Sequence, residues 1–108
     1  MYLENINNEY FLKENDSLTE IHLAVKTEDG EAVDLTAFPI IEVIIGTDEG
    51  RTALKTPTYV NDKGELHFRL DVGDLYEYGD NYLEVHLYEG TDILSSRKHN
   101  IPSKGYYK

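Results

Sequence analysis

The sequence predicts an all-β fold, an antiparallel sandwich, and two observations carry that prediction. The first is apolar–polar alternation with a period of two in three separate runs, SLTEIHLAVK, GELHFRLDV and NYLEVHLYE. A pleated strand sends successive side chains to opposite faces, so each run presents one apolar face to a core and one polar face to solvent. The second is the punctuation of the chain by short Gly-containing turn signals: Asp29-Gly30, Asp48-Glu49-Gly50, Asp62-Lys63-Gly64 and Glu89-Gly90. Glycine reaches the positive φ that tight chain reversals demand.

Taken in order, the first long run places Ile21, Leu23 and Val25 inward and Glu20, His22, Ala24 and Lys26 outward. The Asp29-Gly30 turn follows, with Leu35 as a further core residue, and then PIIEVIIGT. There Ile41, Val43 and Ile45 face the core, which leaves Ile40 and Ile44 flanking Glu42 on the opposite face, where other strands carry charge. Either the strand is central and covered on both faces, or its outer face meets another subunit. The run from Gly64 adds Leu66, Phe68 and Leu70 to the core, and the run from Asn81 adds Leu83, Val85 and Leu87. Helix is confined to one turn near Val72–Tyr76, ahead of a corner at which Tyr78 or Tyr82 would bond its hydroxyl to upstream backbone. The spacing suits an Ig-like β-sandwich of about seven or eight strands, formed as one domain over residues 1–108.

Composition narrows the function. Ten Lys and Arg against 21 Asp and Glu give a net charge of -11, which repels a phosphate backbone and disfavours nucleic acid as a partner. From Asp71 to Asp92 there are seven acidic residues and no Lys or Arg, whereas beyond Asp92 the charged residues are all basic, Arg97, Lys98, Lys104 and Lys108. The acidic run reads as a solvated face or as a surface for a basic partner. Cysteine is absent, so disulfide and thiolate chemistry are excluded, in keeping with folding in a reducing compartment. No run approaches the roughly 18 apolar residues that span a bilayer, and MYLENINNEYFL lacks the order of a secretory signal, so no membrane partner is expected.

Catalytic signatures are missing. Ser17, Ser95, Ser96 and Ser103 lack a nucleophile-elbow context, and no phosphate-cradling loop or dinucleotide fingerprint occurs. His22, His67 and His86 fall on solvent-side strand positions, but none of the four histidines has a close sequence partner, so they and His99 read as surface residues without a ligand role. The carboxylates of Glu28-Asp29-Glu31 and Asp48-Glu49 read as solvated turn acids. The expectation is no enzyme, no cofactor and no metal. Tyr76, Tyr78, Tyr82 and Tyr88 cluster in the acidic stretch, and tyrosine suits both cross-strand packing and a contact surface. With Ile40 and Ile44 they are the candidate protein-interface residues.

The order of several segments resembles the N-terminal domain of phage baseplate upper proteins, found in tailed phages and prophages of Gram-positive bacteria. The segments are Phe11-Leu12-Lys13-Glu14-Asn15-Asp16, D-G-x-x-V-D-L-T from Asp29 to Thr36, G-E-L-x-F-x-L from Gly64 to Leu70, and Gly79 to Val85. The resemblance covers roughly residues 9 to 101 and rests on turn and core residues. It departs in the short loop after PIIEVIIG and in the stretched Gly79-Asp80-Asn81-Tyr82 spacing. It implies a hairpin at Asp29-Gly30 leading into a strand, with Val33 and Leu35 as buried anchors. It also implies that the chain is the N-terminal part of a longer protein or a free-standing relative. The implied role is structural: a virion component, made in the bacterial cytoplasm, that docks a baseplate component onto the tail hub so that receptor-binding proteins are displayed. Its partners would be other tail or baseplate proteins, or further copies of itself. Two readings compete, a carbohydrate-binding sandwich module carried by the tyrosines, and a small acidic phage protein that binds a basic host protein.

Overall fold

The computed structural model describes residues 1–6, 18–71 and 81–101. Among these residues lie nine strands: β1 (Tyr2–Asn5), β2 (Leu18–Lys26), β3 (Ile40–Thr47), β4 (Gly50–Lys55), β5 (Tyr59–Val60), β6 (Glu65–Asp71), β7 (Asn81–Glu89), β8 (Asp92–Ser95) and β9 (His99–Ile101). The pairings are antiparallel and form two sheets. The first has the order β1-β2-β6-β5; the second has the order β4-β3-β7-β8, with β9 also paired to β7. The all-β, two-sheet expectation therefore holds. The one-turn helix expected at Val72–Tyr76, and Tyr76 and Tyr78 with it, lie outside the described residues.

The strand count exceeds seven or eight because one edge strand is divided into β8 and β9. His86 pairs with Ser95 and Leu83 with His99, so one extra residue is inserted between β8 and β9, a β-bulge. Ser96 bridges the gap. Its backbone N–H donates to the Val85 carbonyl at 2.9 Å, and its Oγ accepts the Val85 N–H at 2.9 Å. The bulge turns the Arg97 N–H toward β1, where it donates to the Met1 carbonyl at 2.9 Å. The Arg97 guanidinium and the chain's amino terminus both meet the Glu28 carboxylate, at 3.0 and 3.2 Å. One irregularity in the second sheet thus fastens its edge to the edge of the first.

All thirteen core residues expected from the sequence, the twelve of the alternating runs and Leu35, are buried in one cluster, and Leu3 from β1 joins them. The four turn glycines adopt positive φ: Gly30 at 87°, Gly50 at 130°, Gly64 at 79° and Gly90 at 61°. Gly64 is doubly constrained, because an added Cβ would lie 2.6 Å from the Val25 carbonyl oxygen. That close approach lets the Val25 N–H donate to the Gly64 carbonyl at 2.7 Å and the Val33 N–H to the Val25 carbonyl at 3.1 Å.

The segment after Asp29-Gly30 differs in detail from the expected strand. Gly30 closes a turn on the Thr27 carbonyl, a single bridge joins Lys26 and Ala32, and a 3-10 turn at Leu35–Ala37 precedes β3. Asp34 causes the turn: its carboxylate accepts from both the Thr36 N–H and the Thr36 hydroxyl, which caps the turn and diverts the chain from a sheet ladder. Leu35 is fully buried and Val33 partly buried against the core.

Candidate functional site

The outer face of the second sheet carries most of the residues expected at an interface. Cross-strand partners in an antiparallel ladder share a face, so the register lays out rows of side chains. Ile40 opposes Tyr88 and Tyr88 opposes Ile93, which makes a row of two isoleucines and a tyrosine across β3, β7 and β8. Ile40 is 56 % exposed and Ile93 53 % exposed. The Tyr88 hydroxyl donates to Glu42 Oε1 one row along. That bond, with some burial and the carboxylate's charge, raises the Tyr88 pKa above its usual value and keeps the phenol protonated.

The next row holds Glu42, His86 and Ser95, and the one beyond it Leu54, Ile44 and Glu84. Ile44 is only 3 % exposed, on a central strand between Leu54 and Glu84, so of the isoleucine pair only Ile40 is presented to solvent. In the last row Tyr82 opposes Gly46, and its ring lies where any Cβ on Gly46 would stand, 2.7 Å from the ring carbon Cζ and from the hydroxyl. Lys98 Nζ sits 4.4 Å from the centre of the same ring. The tyrosine covers a glycine that could not otherwise pack, and this commits the ring to the sheet surface.

The outer face of the first sheet holds a cluster that sequence spacing hides. Register sets His22 on β2 directly opposite His67 on β6, and His67 opposite Tyr59 on β5. The imidazoles stack with centroids 3.6 Å apart and planes 12° apart, and the Tyr59 ring tilts against His67 at 4.7 Å. Glu20, two residues before His22 and therefore on the same face, places Oε1 2.8 Å from His22 Nε2 and 3.6 Å from His67 Nδ1. The hydrogen bond from His22 holds the Glu20 carboxyl below its ordinary pKa, against a smaller opposing effect of desolvation. The histidines do not stand alone as the sequence suggested, since strand pairing brings together two that are 45 positions apart. His86 lies in the other sheet, 3.5 Å from Glu84, and His99 on β9 is half-buried, which lowers its pKa.

Two other features carry less chemistry. An open cleft of about 170 Å³ is lined by Phe38, Pro39, Ile41, Thr56, Pro57 and Val60, with no titratable side chain among them. Of the turn acids, Glu28 is engaged by Arg97 and the amino terminus, while Asp29, Glu31, Asp48 and Glu49 are exposed.

Comparison with known protein families, with curated proteins and with solved structures finds no match to this chain.

Proposed function

We propose that this chain is a non-catalytic docking domain, a structural component of a phage or prophage tail baseplate that sits on the tail hub and supports receptor-binding proteins. The baseplate assignment rests on the sequence resemblance over roughly residues 9 to 101. An Ig-like sandwich is part of the proposal. The orders β1-β2-β6-β5 and β4-β3-β7-β8/β9 follow the A-B-E-D and C′-C-F-G orders of such domains, with the divided edge strand in the last position.

The observation that carries the docking role is the exposed row Ile40–Tyr88–Ile93. Two isoleucines and an aromatic ring side by side form an apolar strip flanked by the polar Glu42 and His86, the layout of an interface core with a polar rim. Covering the exposed half of each isoleucine is worth on the order of 1 kcal/mol. Tyr82 and Tyr88 serve a glycan platform less well, since one ring is laid over Gly46 and the other hydroxyl is bound to Glu42.

The test is the Ile40→Lys/Ile93→Lys double variant, mixed with the tail-hub protein of the same phage and followed by size-exclusion chromatography and binding titration. Both positions are exposed, so the melting temperature stays within a few degrees, roughly the range of surface substitutions. Affinity falls by about tenfold or more, because each lysine removes apolar contact and places a charge in the interface. Unaltered binding by the folded double variant would remove this face from the account.

A further inference from the structure

We propose that Glu20, His22 and His67 form a binding site for a divalent transition-metal ion of the zinc class, mounted across the central strand pair of the first sheet. The proposal does not depend on the docking role, which uses the opposite sheet.

The donor set suits the ion. Two imidazoles and one carboxylate are the ligands that Zn²⁺ and its neighbours take from proteins, whereas Ca²⁺ and Mg²⁺ prefer oxygen alone. The spacing suits it as well. Ligands about 2.1 Å from a tetrahedral ion lie about 3.4 Å from one another. The candidate ligand atoms of the three residues all fall within 4.8 Å of one another, and the contacts of Glu20 Oε1 with His22 Nε2 and His67 Nδ1, 2.8 and 3.6 Å, bracket that separation. The stack must open for this: the two imidazoles turn about χ1 and χ2 until the in-plane lone pairs of both rings point at one ion beside the Glu20 carboxylate, a side-chain rearrangement for which β2 and β6 need not move.

The scaffold is rigid where it matters. Seven consecutive register pairs join β2 to β6, and the inner faces of both strands are packed by Ile21, Leu23, Leu66 and Phe68, all fully buried. Tyr59 closes one side of the His67 ring, and its hydroxyl accepts from Asn61 Nδ2 at 3.4 Å. His22 and His67 are about a quarter to a third exposed, enough for an ion to enter from solvent and for water or an outside donor to complete four-coordination. The bound ion clasps two strands that are remote in sequence, so it stabilises the folded chain by mass action.

The experiment is calorimetric titration of the full chain with ZnCl₂ at neutral pH in a non-chelating buffer, with Co²⁺ as a spectroscopic probe of coordination. The expected result is saturable one-to-one binding, a raised melting temperature with Zn²⁺, and visible Co²⁺ absorption displaced by Zn²⁺. Binding weakens as the pH falls, because protons compete with the metal for the ligand nitrogens. His67→Ala and His22→Ala each abolish it, and Glu20→Gln, which keeps the size of the side chain, weakens it. His86→Ala, in the other sheet, leaves it unchanged. Circular dichroism verifies that each variant is folded. Absence of saturable binding to the unaltered chain, or binding retained in a folded His22→Ala/His67→Ala variant, would overturn the assignment.

Discussion

Ser96→Ala removes one oxygen atom, and its effect can be worked from the geometry of the bulge. Ser96 is 5 % exposed, and its Oγ accepts the Val85 N–H at 2.9 Å while its hydroxyl donates to the Arg97 carbonyl at 3.0 Å. At this position the edge of β7 receives its acceptor from a side chain because the bulge has displaced the backbone carbonyl that would otherwise pair. Alanine leaves the Val85 N–H without its acceptor in a position closed to water. An unsatisfied buried donor costs about 1–3 kcal/mol. For a domain of this length each kcal/mol lowers the melting temperature by about 4 °C, so the expected fall is about 4–12 °C. Thermal unfolding followed by circular dichroism gives the stability, and amide exchange at Val85 gives the local effect, which should be faster by at least tenfold. The exposed neighbour Ser95→Ala is the control and should change neither quantity. A Ser96→Ala melting temperature within about 1 °C of the unaltered chain, with slow exchange at Val85, would refute the reasoning.

Gly64→Ala should lower stability by about 2 kcal/mol or more, since the new methyl both occupies a φ of 79° and meets the Val25 carbonyl at 2.6 Å. Urea titration measures this, and Gly90→Ala, also at positive φ but with open space around it, should cost less. For His99, burial lowers the folded-state pKa below the ordinary 6.5, so the unfolded chain takes up its proton first. Stability from this group is therefore complete above pH 6.5 and is lost as pH falls through the folded-state value. His99→Gln should flatten the melting temperature over that interval, and an unchanged slope would assign the acid sensitivity to other groups.

The sequence made the core legible and left most of the surface hidden. Ile21, Leu23 and Val25, and their counterparts on β6 and β7, could be assigned because a period of two is a local signal, and a one-residue slip would have turned each set outward. Leu3 was missed because β1 is only four residues long and too short to show a period. Ser96 and the buried Asn81 gave no signal, since a polar side chain enters the interior only where the neighbouring strand needs its hydrogen bond. The surface rows depend on register, which is a long-range property. Ile40 was marked by its alternation, but Ile93 became its neighbour only through Tyr88, and Ile44 proved buried because β3 lies between β4 and β7. His22 and His67 likewise appeared unrelated until β2 and β6 were paired.

The most direct test of the docking claim is amide hydrogen exchange on the chain alone and in complex with the tail-hub protein. The account predicts added protection in β8 and in the Ile40 end of β3, the elements that carry the Ile40–Tyr88–Ile93 row, while β1, β2 and β5 exchange as they do in the free chain. Protection confined to the first sheet, or no change on mixing at concentrations well above the partner's expected affinity, would contradict it.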